Sequence, residues 1–331
     1  MYRDAHLFFS DVSQLAGYNK FNGLGKLIMM AQRKEADNMI TITDYINMKA
    51  ENLKNKLAAG ELLCACQSLR FDQGNLPDYE NSVLQDVYTL RYGLAYAHEY
   101  KRMYARLLEK MTPGRELEVV SLGCGNMVDY WSLRRVLPDD CHIRYHGVDT
   151  IDWNDKFTAC PGDTVDFTQQ DIYNYIDSCE KLTADIYIFP KSIIELEYDE
   201  VQNIGQLFLS KGVEKNEVHL LFSVRENEYS LKRDIAKTRC LYGFMEDLGM
   251  ECELTADSYY YGIEKVIDKS DSDFSINRVQ GAYELLRNLS GMCERYNNGC
   301  CSCCFCKENR NYPMLNNKYM RYQVFTFRKV A

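Results

Sequence analysis

At 331 residues, with 46% hydrophobic and 26% charged side chains, the chain has an ordinary globular composition and enough length to bury a core without disulfide support. No run approaches the ~20 apolar residues of a membrane helix, and the start Met1-Tyr2-Arg3-Asp4-Ala5-His6 has no secretory apolar stretch, so a cytoplasmic protein with no membrane partner is expected. A net charge of −9 argues against a surface devoted to nonspecific nucleic-acid binding, and fourteen cysteines without an export signal are expected to be reduced or metal-bound.

Residues 1–112 read as helical. Thr43 or Asp44 is suited to cap a helix running through Asn47, Leu53 and Leu57 to Gly60, where a left-handed stop is expected. A loop follows over residues 72–78, then a long helix over 79–111, ended by Thr112-Pro113-Gly114. On that helix Tyr88, Tyr92, Tyr96, Tyr100 and Tyr104 recur every fourth residue and form one stripe, which serves either packing or as a stacking platform. His98 and Glu99 on the same helix are acid–base candidates.

From Leu117 the pattern switches to strands alternating with helices, the sign of a parallel sheet with crossovers. Strands are expected near 117–122, 143–148, 164–168, 184–189, 217–224, 251–257 and 321–328, with helices at 127–137, 198–211 and 230–248. The first strand stops abruptly at Gly123-Cys124-Gly125, and the second closes on Asp149. A buried strand ending in Gly-x-Gly lets backbone approach a ligand closely, and an acid at the end of the next strand can hold a ribose hydroxyl pair. Together these point to a nucleotide-like cofactor.

Val119-Val120-Ser121-Leu122-Gly123-Cys124-Gly125 resembles the first motif of class I S-adenosylmethionine-dependent methyltransferases, and Gly147-Val148-Asp149 resembles their second. Gln170-Asp171-Ile172 resembles the acid motif beside the adenine, and the run from Ala184 to Pro190 the fourth strand with its substrate-facing tip. The resemblance covers about residues 85–260 plus a last strand. It implies an α/β fold with a doubly wound, mostly parallel seven-stranded sheet, in a Rossmann-like methyltransferase domain over 113–331. The helical extension 1–112 is then expected to form a lid over the cofactor crevice. The last two strands would pair antiparallel at the sheet edge, making 258–318 a cysteine-rich insertion. The resemblance further implies that Gly123, Cys124 and Gly125 line the cofactor, that Asp149 bonds the ribose, that Asp171 and Ile172 border the adenine, and that Pro190 meets the reacting end.

Two positions depart from the pattern: Ser121 stands where an acid is usual, and Met127 where a third glycine is common. Asp129, on the following helix, is a candidate to supply the missing acid. The fourth-strand tip reads Phe189-Pro190-Lys191-Ser192, without the polar-Pro-Pro-aromatic motif of exocyclic base-amine methylation or the Pro-Cys nucleophile of base-carbon methylation. Lys191 is a candidate base or anion clamp, with Glu195 four residues on as its ion-pair partner; a surface pair beginning a helix is the bland alternative.

The insertion carries Cys293 and then Cys300-Cys301-Ser302-Cys303-Cys304-Phe305-Cys306. Two-residue spacers let both thiolates of a pair reach one tetrahedral ion, so a structural zinc on Cys293, Cys300, Cys303 and Cys306 is the simplest set; an iron–sulfur cluster or metal-free thiols stay open. From Cys301 to the end, six basic residues face one acid, which suits either a phosphate-binding face or a sheet edge blunted by charge. The expected function is S-adenosylmethionine-dependent methylation of RNA or another nucleotide-containing substrate. Methylation of a small molecule or protein, and a noncatalytic cofactor-binding scaffold on the same fold, are the alternatives.

Overall fold

The computed structural model describes residues 40–70, 77–225, 230–258, 260–262, 272–299, 312–315 and 320–330. Helix α1 (Ile42–Ala58) starts earlier than the sequence suggested, because the Thr41 hydroxyl rather than Thr43 or Asp44 caps it, accepting from the Asp44 N–H at 3.1 Å. Its chain reverses at Gly60 with φ +92°, the left-handed stop expected there. A 3-10 segment (Leu63–Arg70) leads towards α2 (Ser82–Leu108), whose first turn is capped by Asn81 Oδ1 accepting from Val83 and Leu84.

The remaining elements alternate: β1 (Glu116–Leu122), α3 (Val128–Arg134), β2 (His142–Asp149), β3 (Thr164–Gln169), α4 (Ile172–Ser178), β4 (Ile186–Phe189), α5 (Tyr198–Lys211), β5 (Glu217–Arg225), α6 (Ser230–Asp247) and β6 (Met250–Cys252). A two-residue strand β7 (Tyr261–Gly262), helices α7 (Gln280–Arg287) and α8 (Glu294–Asn297), and β8 (Met320–Lys329) complete the described elements. The sheet runs β3-β2-β1-β4-β5-β8-β6, with β7 also on β8. Strands β1 to β5 are mutually parallel, and β8 lies antiparallel to its neighbours. This is the doubly wound, mostly parallel arrangement expected from the sequence, with one strand added. Its central strands are buried on both faces, which is why β4 and β5 read as nearly unbroken apolar runs.

One core layer forms where Val120, Tyr187, Phe189 and Phe222 meet Ile204 and Phe208 of α5 and Leu241 and Met245 of α6. The opposite layer is aromatic, built from Tyr45, Trp131, Phe157 and Phe274.

The sheet edge differs from expectation. The alternating stretch 251–257 reads as one strand, yet pairing stops at Cys252 and resumes at Tyr261. Residues 253–260 oppose only 323–326 of β8, so eight residues span the length of four, and a turn closed by Ser258 N–H to Thr255 O carries the surplus away.

The insertion is described in part, chiefly over 272–299. Its described part holds α7 and packs on α1 and α2. Asp273 grips Arg135 and Lys101, with the Lys101 Nζ at 2.8 Å, and Asn47 Nδ2 donates to Arg278 O at 2.9 Å. Fully buried Phe274 stands edge-on to both Trp131 and His98. Phe274→Ala should therefore cost about 3–5 kcal/mol in urea unfolding. A loss below about 1 kcal/mol would mean that this segment lies outside the cooperative core.

Candidate functional site

The sheet reverses its winding between β1 and β4, and in open α/β sheets the carboxyl ends beside such a reversal leave a crevice. A cavity of about 530 Å³ lies there, lined by Gly123 and Gly125 after β1, Asp149 after β2, Asp171 and Ile172 after β3, and Pro190 to Ser192 after β4. Its volume is that of a small-molecule site.

The turn after β1 is built without room for side chains. Gly123 has φ +78°, and a Cβ there would lie 2.3 Å from the Cβ of Ser192. The Gly123 and Cys124 N–H groups bond Val148 O at 2.7 and 3.0 Å, locking the turn to the end of β2. The Gly125 N–H reaches Asp149 Oδ2 at 2.8 Å, while Asp149 Oδ1 accepts from Ile151 N–H at 2.9 Å. Burial raises the Asp149 pKa, and these two N–H groups oppose that rise. A carboxylate offers about four lone-pair sites, so Asp149 keeps acceptor capacity after both bonds. Met127 has φ +62°, the left-handed conformation that a glycine would supply at no cost.

Cys124, between the two glycines, also lines the cavity, and burial pushes its thiol pKa well up. Asp171 caps α4, accepting from Asn174 N–H at 2.9 Å, and presents its edge to the cavity beside Ile172. Asp129 is not among the residues lining the cavity. It is fully buried, with both oxygens 2.9 Å from the Tyr145 hydroxyl, and its pKa is pushed up to about 6 by burial, against the opposing effect of Ser121 and Tyr145.

Lys191 and Glu195 both line the cavity but do not pair with each other. Four-residue spacing joins side chains only on a helix, whereas Lys191 has φ +72° and is followed by a single 3-10 turn (Ser192–Ile194). Lys191 instead turns inward, with Nζ 2.8 Å from Glu99 Oε1 and 3.3 Å from Val224 O; burial lowers its pKa, and Glu99 opposes that. Glu195 accepts from the Tyr79 hydroxyl at 3.3 Å. Burial raises it to about 7, opposed first by Arg225. Glu99 is thus the partner of Lys191, while His98 packs against Phe274.

Sequence reasoning missed Trp153 and the 77–80 segment, both on the cavity wall. Trp153 lies 5.4 Å from Tyr79 and 5.3 Å from Tyr88, ring to ring, and those two tyrosines meet edge-on at 5.6 Å. Gln85 ties these pieces together, donating to Tyr79 O at 2.8 Å and accepting from Asn154 N–H at 2.9 Å. The tyrosine stripe divides: Tyr88, Tyr96 and Tyr100 line the cavity, while buried Tyr92 stacks on Tyr96 and buried Tyr104 stays in the core. A tryptophan four residues past Asp149 was the available signal. Its ring contacts, however, come from Tyr79 and Tyr88, more than sixty residues away in sequence.

Of the cysteine set, Cys293 is buried at the end of a 3-10 turn, and Cys300, Cys303 and Cys306 lie outside the described residues. Among the described residues no group of three or more His, Cys, Asp or Glu side chains is arranged to hold a metal, and no helix is long and apolar enough to cross a membrane.

No protein-family model matches the chain, and no curated protein does. Solved structures to which it is similar include the plantazolicin methyltransferase BpumL in complex with a monoazolic desmethylPZN analog and SAH, at 16% identity and TM-score 0.37, covering 86% of this chain and 100% of that one. A SAM-dependent methyltransferase from Archaeoglobus fulgidus is similar at 14% identity and TM-score 0.36, over 72% of this chain and 100% of that one. The 1,6-didemethyltoxoflavin-N1-methyltransferase of Burkholderia thailandensis is similar at 10% identity and TM-score 0.37, over 72% and 79%.

Two outcomes are expected from this geometry. Gly123→Ala should lower stability by more than about 1 kcal/mol, from the left-handed backbone alone, before the overlap with Ser192 is counted. Glu195 binds its proton more tightly folded than at its ordinary 4.5, so stability should fall as pH rises from about 4.5 to about 7. Glu195→Gln should then be more stable than the wild type at pH 8, by about 1–3 kcal/mol, with the gap closing near pH 4.5 in urea unfolding.

Proposed function

We propose that the chain is an S-adenosylmethionine-dependent methyltransferase acting on a small molecule. The observation that carries this is the convergence of four separated motifs on one cavity: Gly123 and Gly125, Asp149, Asp171 with Ile172, and Pro190. The residues fit the cofactor. The two glycines leave the turn bare for close approach, Asp149 retains acceptor capacity for a diol, and Ile172 offers an apolar edge to a base beside Asp171. Bound S-adenosylmethionine supplies a methyl group made electrophilic by its sulfonium. The chain's part is to orient the acceptor and keep water out, which by positioning alone can contribute roughly 7–11 kcal/mol in favourable cases.

The small-molecule reading replaces RNA for two reasons. The cavity is walled by Tyr79, Tyr88, Tyr96 and Tyr100, leaving a space suited to a compact acceptor. Of the basic residues from Cys301 onward, which had favoured a phosphate surface, Lys307, Arg310 and Lys318 lie outside the described residues, and on the last strand Arg328 has acids beside it. Arg328 pairs with Glu217 at 2.6 Å and Glu253 at 3.4 Å, and the Lys329 Nζ donates to Glu214 O at 2.9 Å. A structural zinc on Cys293, Cys300, Cys303 and Cys306 is supported by spacing alone, and about one zinc per chain by elemental analysis is its test.

Calorimetry with S-adenosylmethionine and S-adenosylhomocysteine tests the cofactor. Asp149→Ala should weaken binding by about 1–3 kcal/mol through loss of charge-assisted bonds. Unchanged affinity in that variant, or no binding by the wild type, would sink the assignment. A labelled-methyl screen over metabolite, protein and RNA fractions then separates the acceptor classes.

A further inference from the structure

The cavity wall not taken up by the cofactor residues has an unusual charge balance. Six carboxyl residues line the whole cavity: Asp78, Glu80, Asp149, Asp171, Glu195 and Glu200. Lys191 is the one basic residue lining it among the described residues, and its ammonium is already held by Glu99. Arg225 is not among the lining residues, although its charge favours the ionised form of Glu195. Among the described lining residues an anionic acceptor such as a carboxylate or phosphate would meet more acids than bases, and like charges repel. The same wall carries the rings of Tyr79, Tyr88 and Trp153, an aromatic lining of the kind that attracts cations, while the Tyr96 ring stacks on Tyr92 and already has the Lys191 ammonium 5.7 Å from its centroid.

Resting on the cofactor reading above, we propose that the acceptor is an amine carried on an apolar or aromatic body, bound as its ammonium between these rings and Glu195, and that Glu195 removes its proton. The step is a simple proton transfer. An N–H bond breaks, its electron pair stays on nitrogen, an O–H bond forms on the Glu195 carboxylate, and the nitrogen lone pair becomes free to attack. An oxygen acceptor would instead have to become an anion beside Glu195, whereas the amine becomes neutral. Glu195 is suited to the task because burial holds it near neutrality, with Tyr79 and Arg225 favouring its charged form and Asp149 opposing it.

The test is calorimetry with 2-phenylethylamine, 2-phenylethanol and 3-phenylpropionate at pH 6 and pH 8, with and without saturating S-adenosylhomocysteine. The amine should bind at least tenfold more tightly than either analogue at pH 8, and more tightly there than at pH 6, as Glu195 loses its proton. Glu195→Gln should abolish the pH dependence and cut the preference for the amine at pH 8 by at least tenfold, while leaving S-adenosylhomocysteine affinity unchanged. Equal affinity for the three probes, preference for the carboxylate, or no binding of the amine would overturn the proposal. Amine binding without any S-adenosylhomocysteine binding would overturn the cofactor reading instead.

Discussion

The close approach of the β1 and β4 carboxyl ends governs the architecture of the site. Gly123 and Ser192 come so near that no side chain fits at position 123, and the Ser192 hydroxyl closes the contact by bonding Leu122 O. Two parallel strands that part to opposite sides of a sheet would otherwise leave their last carbonyls facing an open crevice. Here the serine satisfies one of them, while the Gly123 and Cys124 N–H groups are used on Val148 O. The bare turn that results is the floor of the cavity, and its shape follows from backbone accounting before any ligand is considered.

A second constraint is charge placed where water does not reach. Fully buried Asp86 on α2 meets Lys49 at 3.4 Å and Lys56 at 2.6 Å from α1, and fully buried Glu99 meets Lys191 from the β4 tip. Such pairs add little net stability over apolar packing, because desolvation offsets most of the attraction, but removing one partner strands a buried charge. Their effect is therefore to fix where α2 sits. The helix is bound to α1 at one end and to the sheet further along, and it turns Tyr88, Tyr96 and Tyr100 to the crevice. Burial also pushes Glu195 towards neutrality on the same wall, giving a group that changes charge near pH 7 at the edge of the cavity.

Much of the sheet was legible in the sequence because parallel strands buried on both faces leave apolar runs bounded by turn residues. Helix α5 was read to its observed limits for a similar reason: a clear periodic face with acids in its first turn. The glycines and Asp149 were legible because the geometry they require excludes other residues. What escaped was non-local. The Lys191–Glu195 pairing assumed a helix where a left-handed residue and one 3-10 turn occur, and the true partner, Glu99, is ninety-two positions away. Met127 read as a loss of the third glycine, yet the backbone keeps the left-handed conformation, and the departure is one of side chain and not of path. Asp129 read as a ligand because it follows the motif closely, but the helix turns it towards Tyr145 and away from the crevice.

The arched stretch 253–260 has a meaning beyond its local register. A sheet of this kind ends in a strand whose outward N–H and C=O groups are free to pair, and an uninterrupted edge is a template on which another chain can add a strand. By fitting eight residues against four, this chain breaks its edge into two segments of three and two residues, β6 and β7, neither long enough to register a foreign strand. Among the described residues the departure from regular pairing thus leaves no long continuous template along this edge, and straightening it by deleting four residues of the arch would restore one.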